Sequence, residues 1–378
     1  MHLQMPGQYP PPTLQSLISS LKVDFDYLKL PEETAFDYYG DFPKDSTTSY
    51  LRNFESELST HLSLPDCVFM PSGVMAQSIM LMINARGEES SFCCHQTSHL
   101  LIHEKESYEH LLKLEPEIID TQKPITYSDV LEKLNGPNSS KIKTVVLEHP
   151  HRELGGSLTS FTDLKKIQEI CKQKNVKFHL DGARIWEASG AYNGEKSLKD
   201  ITGCFDSCYV SFYKGLGGIT GAALLGSHEF CEEARIWLRR FGGNLFCLSP
   251  YAVSCWAGFR RNVTECEGVG FVEKAEKMKR VVGLLKGDEE ISSVLSFRTE
   301  TVEICFCQGI IQGTRSECEK AEKAVFEETG VHVFSRLRGE FGEEKMYFEW
   351  NMGEVNGRIE DQVFLENWKL FARELKEK

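Results

Sequence analysis

The chain contains no uninterrupted apolar stretch near the ~18 residues that span a bilayer, so no membrane-crossing helix is expected. Its first residues, MHLQMPGQYPPPTLQSL, lack a basic start followed by an apolar run, which predicts no secretory leader. Basic residues are not in excess. The 43 Lys and Arg against 56 Asp and Glu give a formal charge of −13, which disfavours nucleic acid as a partner. A local cluster of donors can still hold a small anion, so phosphorylated small molecules stay open. The 13 cysteines include no CxxC pair; their closest pairings are Cys93–Cys94, Cys204–Cys208 and Cys305–Cys307. That spacing suits neither a zinc site nor a disulfide framework, and predicts reduced, buried thiols in a cytoplasmic protein. His95, His99 and His103 are spaced to align on a helix, but no HExxH pattern accompanies them and no metal site is expected. Internal repeats are absent, and low complexity is confined to Pro10, Pro11 and Pro12.

What is present is an ordinary globular composition. With 41% apolar residues, a chain of 378 residues can bury a large core, and its length predicts two domains. Residues 1–44 are rich in Pro, Tyr, Asp and Phe with weak periodicity, and read as an arm lying on another part of the protein or on a partner subunit. From Thr47 the pattern turns helical through Leu51, Phe54, Leu58 and Leu62. Between residues 45 and 286, short β-branched runs (143–149, 176–182, 208–215, 221–227) alternate with amphipathic helices such as 162–175. This predicts an α/β large domain with a mostly parallel sheet and right-handed crossovers. Residues 287–378 read strand, helix, strand, helix, a smaller C-terminal α+β domain.

Ligands of open α/β sheets sit beyond the carboxyl ends of the strands. The residues falling there are Asp181-Gly182-Ala183-Arg184, Tyr213-Lys214-Gly215, Glu148-His149-Pro150-His151 and the turn Pro71-Ser72-Gly73-Val74. Taken singly, each is more often a turn or a solvated surface residue. Together, an Asp and a Lys at two strand ends suit pyridoxal 5'-phosphate: the lysine amine binds the cofactor as a Schiff base, and the carboxylate keeps the pyridine nitrogen protonated. Ser72-Gly73 opening a helix offers backbone N–H groups to the phosphate. Glu148 and Glu153 flank a turn and read as exposed, and Trp237 and Trp256 read as core or interface residues on helix faces.

The segments YYGDFPKDSTTSYLRNFESEL, FMPSGVMAQ, LEHPHRELGG, HLDGARIWEA and SFYKGLGGITGAALLG with RRFGG resemble the threonine aldolase and β-eliminating lyase group of fold type I pyridoxal-phosphate enzymes. The likeness covers residues 37–245. It implies Lys214 as the Schiff-base lysine, Asp181 as partner of the pyridine nitrogen, and Ser72, Gly73 and Val74 at the phosphate. It further implies Arg184 at the cofactor and substrate carboxylate, His99 stacked on the cofactor ring, and His151 near the substrate β-hydroxyl as a base. A homodimer or homotetramer with sites at subunit interfaces follows from the same likeness. Departures are equally specific. VDFDYLKLPEET lacks the family's Ser-Asp-Thr, and Val74 replaces a threonine. Tyr213 replaces a serine, Phe246 stands where an arginine is usual, and KMYFEWNMG offers Tyr347 but no arginine. The expected activity is retro-aldol cleavage of a β-hydroxy-α-amino acid to glycine and an aldehyde. Phe246, Tyr347 and Trp350 would form an apolar wall favouring bulky β-substituents. β-Elimination, racemisation, or cofactor binding with little catalysis are the alternatives.

Overall fold

The computed structural model describes residues 3–4, 13–31, 34, 39, 49–87, 89–266, 270–342 and 344–377. Seven strands form the principal sheet: β1 (Asp66–Met70), β2 (Ser91–His95), β3 (Glu115–Ile119), β4 (Ile142–Glu148), β5 (Lys177–Gly182), β6 (Ser207–Ser211) and β7 (Ala222–Gly226). Their order is β1-β7-β6-β5-β4-β2-β3, and only β7 runs antiparallel to its neighbours.

Alternation along the strands feeds two core layers, one on each face. Cys67, Phe69, Val145, Leu147, Phe178, Leu180, Cys208 and Val210 enter one apolar cluster. Val68, Met70, Val146, Tyr209, Ala222 and Leu224 enter the other, beneath helix α2 (Gly73–Asn84). His179 and Asp181 alternate with Phe178 and Leu180, so they face the α2 layer. That single consequence of period-two geometry sets the site.

The expected strand 208–215 stops at Ser211, and Lys214 stands on the connection 212–221 leading to the antiparallel β7. Gly217 on that connection has φ +72°, a left-handed turn that favours glycine. Strands β2 and β3 were not among the sequence-derived expectations. The helix Ser249–Phe259, which carries Trp256 as expected, is buried on nearly every side and so shows no amphipathic period.

The N-terminal segment is more ordered than an arm of weak periodicity implies. Residues Leu14–Leu28 form helix α1, opened by a Thr13 capping box and packed against Ser249–Phe259. Its apolar Leu14, Ile18 and Val23 are exposed, while the buried Asp24 pairs with Arg261 at 2.6 Å, which explains why hydrophobic periodicity missed it. Residues 38 and 40–48, in the first half of the first family-like segment, lie outside the described residues.

Downstream, β8 (Leu295–Phe297), β9 (Phe306–Gln312), β10 (Gly339–Glu340) and β11 (Lys345–Asn351) make an antiparallel sheet in the order β10-β11-β9-β8. Helix Asp361–Lys376 covers one face, where Phe348, Trp350, Phe364 and Trp368 pack ring against ring. Trp350 is therefore fully buried core, not the wall of a pocket. The opposite face, with Asn351 and Glu349, reaches the principal sheet: Arg184 Nη1 donates to Asn351 Oδ1 at 3.0 Å and Arg152 Nε to Glu349 Oε1 at 2.6 Å.

Candidate active site

Asp181 ends β5 and is 1% exposed. Gln77 Nε2 donates to its Oδ2 at 2.8 Å and the Ala183 N–H to its Oδ1 at 3.2 Å, yet it makes no ion pair among the described residues. Burial and the neighbouring Glu148 charge push its carboxyl up, opposed by His99 and Lys214. Lys214 is half-buried, also without an ion pair among the described residues; its nitrogen lies 5.9 Å from the Tyr213 ring centre. Burial and the Arg184 charge draw its ammonium below the ordinary lysine value, opposed by Asp181, Glu148 and Glu187. A lysine so lowered reaches its neutral, nucleophilic form more readily. An acid and a base thus converge at adjoining strand ends, neither with an ion-pair partner among the described residues.

The turn before α2 lies alongside. Ser72 caps the helix, its Oγ accepting from the Met75 N–H at 3.3 Å, and Thr220 Oγ1 on the lysine connection donates to the Pro71 carbonyl at 3.1 Å. Gly73 is required by contact: a Cβ there would stand 2.0 Å from the Tyr209 hydroxyl. Val74 is 41% exposed, leaving this end of the helix open to a ligand.

His99 begins the short helix His99–Ile102, and its Nδ1 lies 2.9 Å from Glu104 Oε1. Burial lowers its imidazolium, but the Glu104 hydrogen bond and the Asp181 charge outweigh that and hold it above the ordinary histidine value. His95 ends β2 and His103 caps the short helix, so the three histidines do not share one helical face. Glu148, expected to be exposed, is buried, and its carboxylate accepts from the His99 N–H at 3.2 Å and the Arg152 N–H at 2.9 Å. His151 is 3% exposed; its Nε2 lies 3.0 Å from Thr97 Oγ1, which also meets His95 Nδ1 at 2.9 Å. Burial pushes the His151 imidazole down to about 4, so it is neutral near pH 7.

Arg184 is 8% exposed and already engaged. Its Nη1 donates to Glu187 at 2.9 and 3.2 Å and to Asn351, and its guanidinium carbon lies 4.3 Å from the Phe306 ring centre. A second guanidinium, Arg298, is half-buried within the electrostatic reach of His151 and makes no ion pair among the described residues. Tyr347 occupies the β11 face beside it, whereas Phe246 is 57% exposed and packs edge-on against Tyr39 at 5.5 Å.

Lys214, Asp181, Arg184 and His99 thus come together, with His151 at their edge. Missed from sequence were Gln77, Glu104, His179, Glu187 and Asn351, and Glu148 was read only as an exposed turn residue. Only His179 had a legible cue, two residues before Asp181 on the same strand face.

An open α/β sheet with an aspartate and a lysine at neighbouring strand ends, beside a helix N-terminus, is the architecture of a cofactor-dependent enzyme. Residues 40–282 match the family model of the beta-eliminating lyases, and the chain belongs to that family. It is 32% identical over 214 residues to aldolase vrtJ of Penicillium aethiopicum, covering 54% of this chain and 52% of that one. It is 29% identical over 219 residues to the low-specificity L-threonine aldolase of Candida albicans, covering 55% of this chain and 56% of that one. The matched region spans about half the length of these curated relatives. A solved structure of a 'putative L-allo-threonine aldolase' from Listeria monocytogenes EGD-E superposes with TM-score 0.83 at 29% identity, over 99% of this chain and 96% of that one.

Proposed function

We propose that this protein is a pyridoxal-phosphate-dependent carbon–carbon lyase that cleaves a β-hydroxy-α-amino acid to glycine and an aldehyde. The observation that supports it above the others is the pair of opposite charges at buried Asp181 and half-buried Lys214, neither in an ion pair among the described residues. Such a pair suits a ligand with a cationic ring nitrogen at one end and a carbonyl at the other. Lys214 would hold the cofactor through its amine, Asp181 through its pyridine nitrogen, and the Ser72, Gly73 and Val74 turn through its phosphate. His99 would cover the ring and Arg184 would border it. Bound pyridoxal phosphate supplies the electron sink for the pair released when the Cα–Cβ bond breaks.

The chain's own residues do the rest. Neutral His151 can accept the substrate β-hydroxyl proton, with Thr97 orienting its ring. Arg184, held by Glu187 and Asn351, presents its remaining N–H groups to the substrate carboxylate, and Arg298 adds positive charge on the His151 side. Most of the cysteines are buried, which supports a reducing cytoplasm as the compartment. Among the described residues no helix is long and apolar enough to cross a membrane. The exposed Val74 and Tyr213 beside the site support a homo-oligomer in which a second copy covers it. The same proposal divides the chain into an arm (1–44), a large domain (45–286) and a small domain (287–378), supported by the separate seven-stranded and four-stranded sheets.

The test is direct. Purified protein should turn yellow with pyridoxal phosphate and release benzaldehyde and glycine from phenylserine, and Lys214→Ala should do neither. A colourless wild type rejects the reading; phenylpyruvate and ammonia in place of benzaldehyde and glycine would assign β-elimination instead.

A further inference from the structure

A continuous polar chain runs through the otherwise apolar layer beneath Asp181. Ser207 Oγ on β6 lies 2.7 Å from His179 Nδ1, His179 Nε2 lies 3.0 Å from Gln77 Oε1, and Gln77 Nε2 lies 2.8 Å from Asp181 Oδ2. His179 is 0% exposed, Gln77 1% and Ser207 2%, so the relay is shut off from bulk solvent. No step in the chemistry above uses any of these three side chains.

The order of donors is fixed by what each group can do. Gln77 Oε1 only accepts, so the His179 Nε2 that meets it carries the proton. Nδ1 is then bare and takes the Ser207 hydroxyl proton. Gln77 has turned its oxygen towards His179 and must present an N–H to Asp181. A reversed relay, with the His179 proton on Nδ1, would aim the Gln77 oxygen at Asp181 and demand a protonated carboxyl there. Burial holds the His179 imidazole down at about 3, so the relay contains a neutral ring at any working pH.

We propose that Gln77 and His179 are positioning residues that fix Asp181 as a hydrogen-bond acceptor, keeping its carboxylate ready for a protonated pyridine nitrogen. This rests on the cofactor reading above and extends it to residues that never touch the cofactor. Burial and the charge of Glu148, from the end of β4, push Asp181 towards the protonated acid, with Glu104 also within electrostatic reach. His99 and Lys214 favour the carboxylate, and the Gln77 N–H adds to their side.

The test compares wild type with Gln77→Met, which keeps length and bulk but has no donor, and with Ser207→Ala, which removes the relay's outer anchor. Two readouts avoid activity altogether. In cofactor-free protein carrying 13C-labelled aspartate, with Asp181 assigned by its loss in Asp181→Asn, Gln77→Met should protonate Asp181 at a pH where wild type is ionised. In protein saturated with 15N-labelled pyridoxal phosphate, the ring nitrogen should lose proton occupancy in Gln77→Met. The cofactor Kd should rise roughly tenfold, the scale of one buried acceptor left unpaired. Ser207→Ala should shift all three in the same direction and by less. Unchanged Asp181 ionisation and ring-nitrogen shift in a folded Gln77→Met would overturn the proposal. A wild type that ignores the cofactor would reject the function, while the 13C measurement would still decide the relay.

Discussion

Replacing Arg184 with leucine is the most informative single change, because its structural and functional consequences can be separated. Arg184 is 8% exposed and Glu187 0% exposed, and the guanidinium Nη1 reaches both Glu187 oxygens. Arg184→Leu strands a carboxylate in the core, and breaking a buried pair from one side costs roughly 3–5 kcal/mol. Arg184→Leu with Glu187→Leu removes both charges and should recover most of that loss, since apolar replacement of both partners is often neutral. Activity should not return with it, if the guanidinium also serves the substrate carboxylate. Urea unfolding midpoints, with the m-value checked for constancy, read the stability arm; benzaldehyde release from phenylserine reads the other. Arg184 also depresses Lys214, so the single variant should move the lysine back towards its ordinary value. Two results would refute the reasoning. A single variant losing under about 1 kcal/mol would mean Glu187 does not depend on Arg184. A stable double variant with wild-type kcat/KM would mean that the substrate carboxylate is bound elsewhere.

The altered carboxylate shell predicts a higher kcat/KM for phenylserine than for threonine. A missing charge-assisted donor weakens binding by roughly 1.5–3 kcal/mol, and a larger apolar substrate can offset this against Tyr347; a higher value for threonine rejects it. Glu104→Gln should lower the His99 imidazolium, followed by its ring-proton NMR shift. Because His99 is raised in the fold, its pairing stabilises fully below the ordinary histidine value and is lost as pH rises through the folded one. A pH dependence of stability unchanged across that window in Glu104→Gln would contradict the pairing. Sedimentation at micromolar concentration should show at least a dimer, and monomer alone would remove the covering copy from the site.

By itself the sequence determined the α/β class, the four central strand runs and the order in which Ser72, Asp181, Arg184 and Lys214 follow one another. These were legible because each depends on local rules. Period-two burial makes HLD a strand end, an N-capping serine before an apolar run opens a helix, and glycines around Lys214 demand a turn. Tertiary structure alone decided which charges are satisfied. Glu148 looks like a solvated acid until the His99 N–H closes on it from an element 49 residues away. Trp350 looks like a pocket aromatic until helix Asp361–Lys376 covers its face. The helix Ser249–Phe259 has no period because it is enclosed all round, and α1 is held by a buried aspartate that no hydropathy pattern marks. Gln77 and Asp181 are 104 residues apart and meet only because a helix crosses the α2-side face of the sheet. Local pattern reports what a residue prefers, whereas the partner that satisfies it comes from distant chain, and that pairing sets the chemistry of the site.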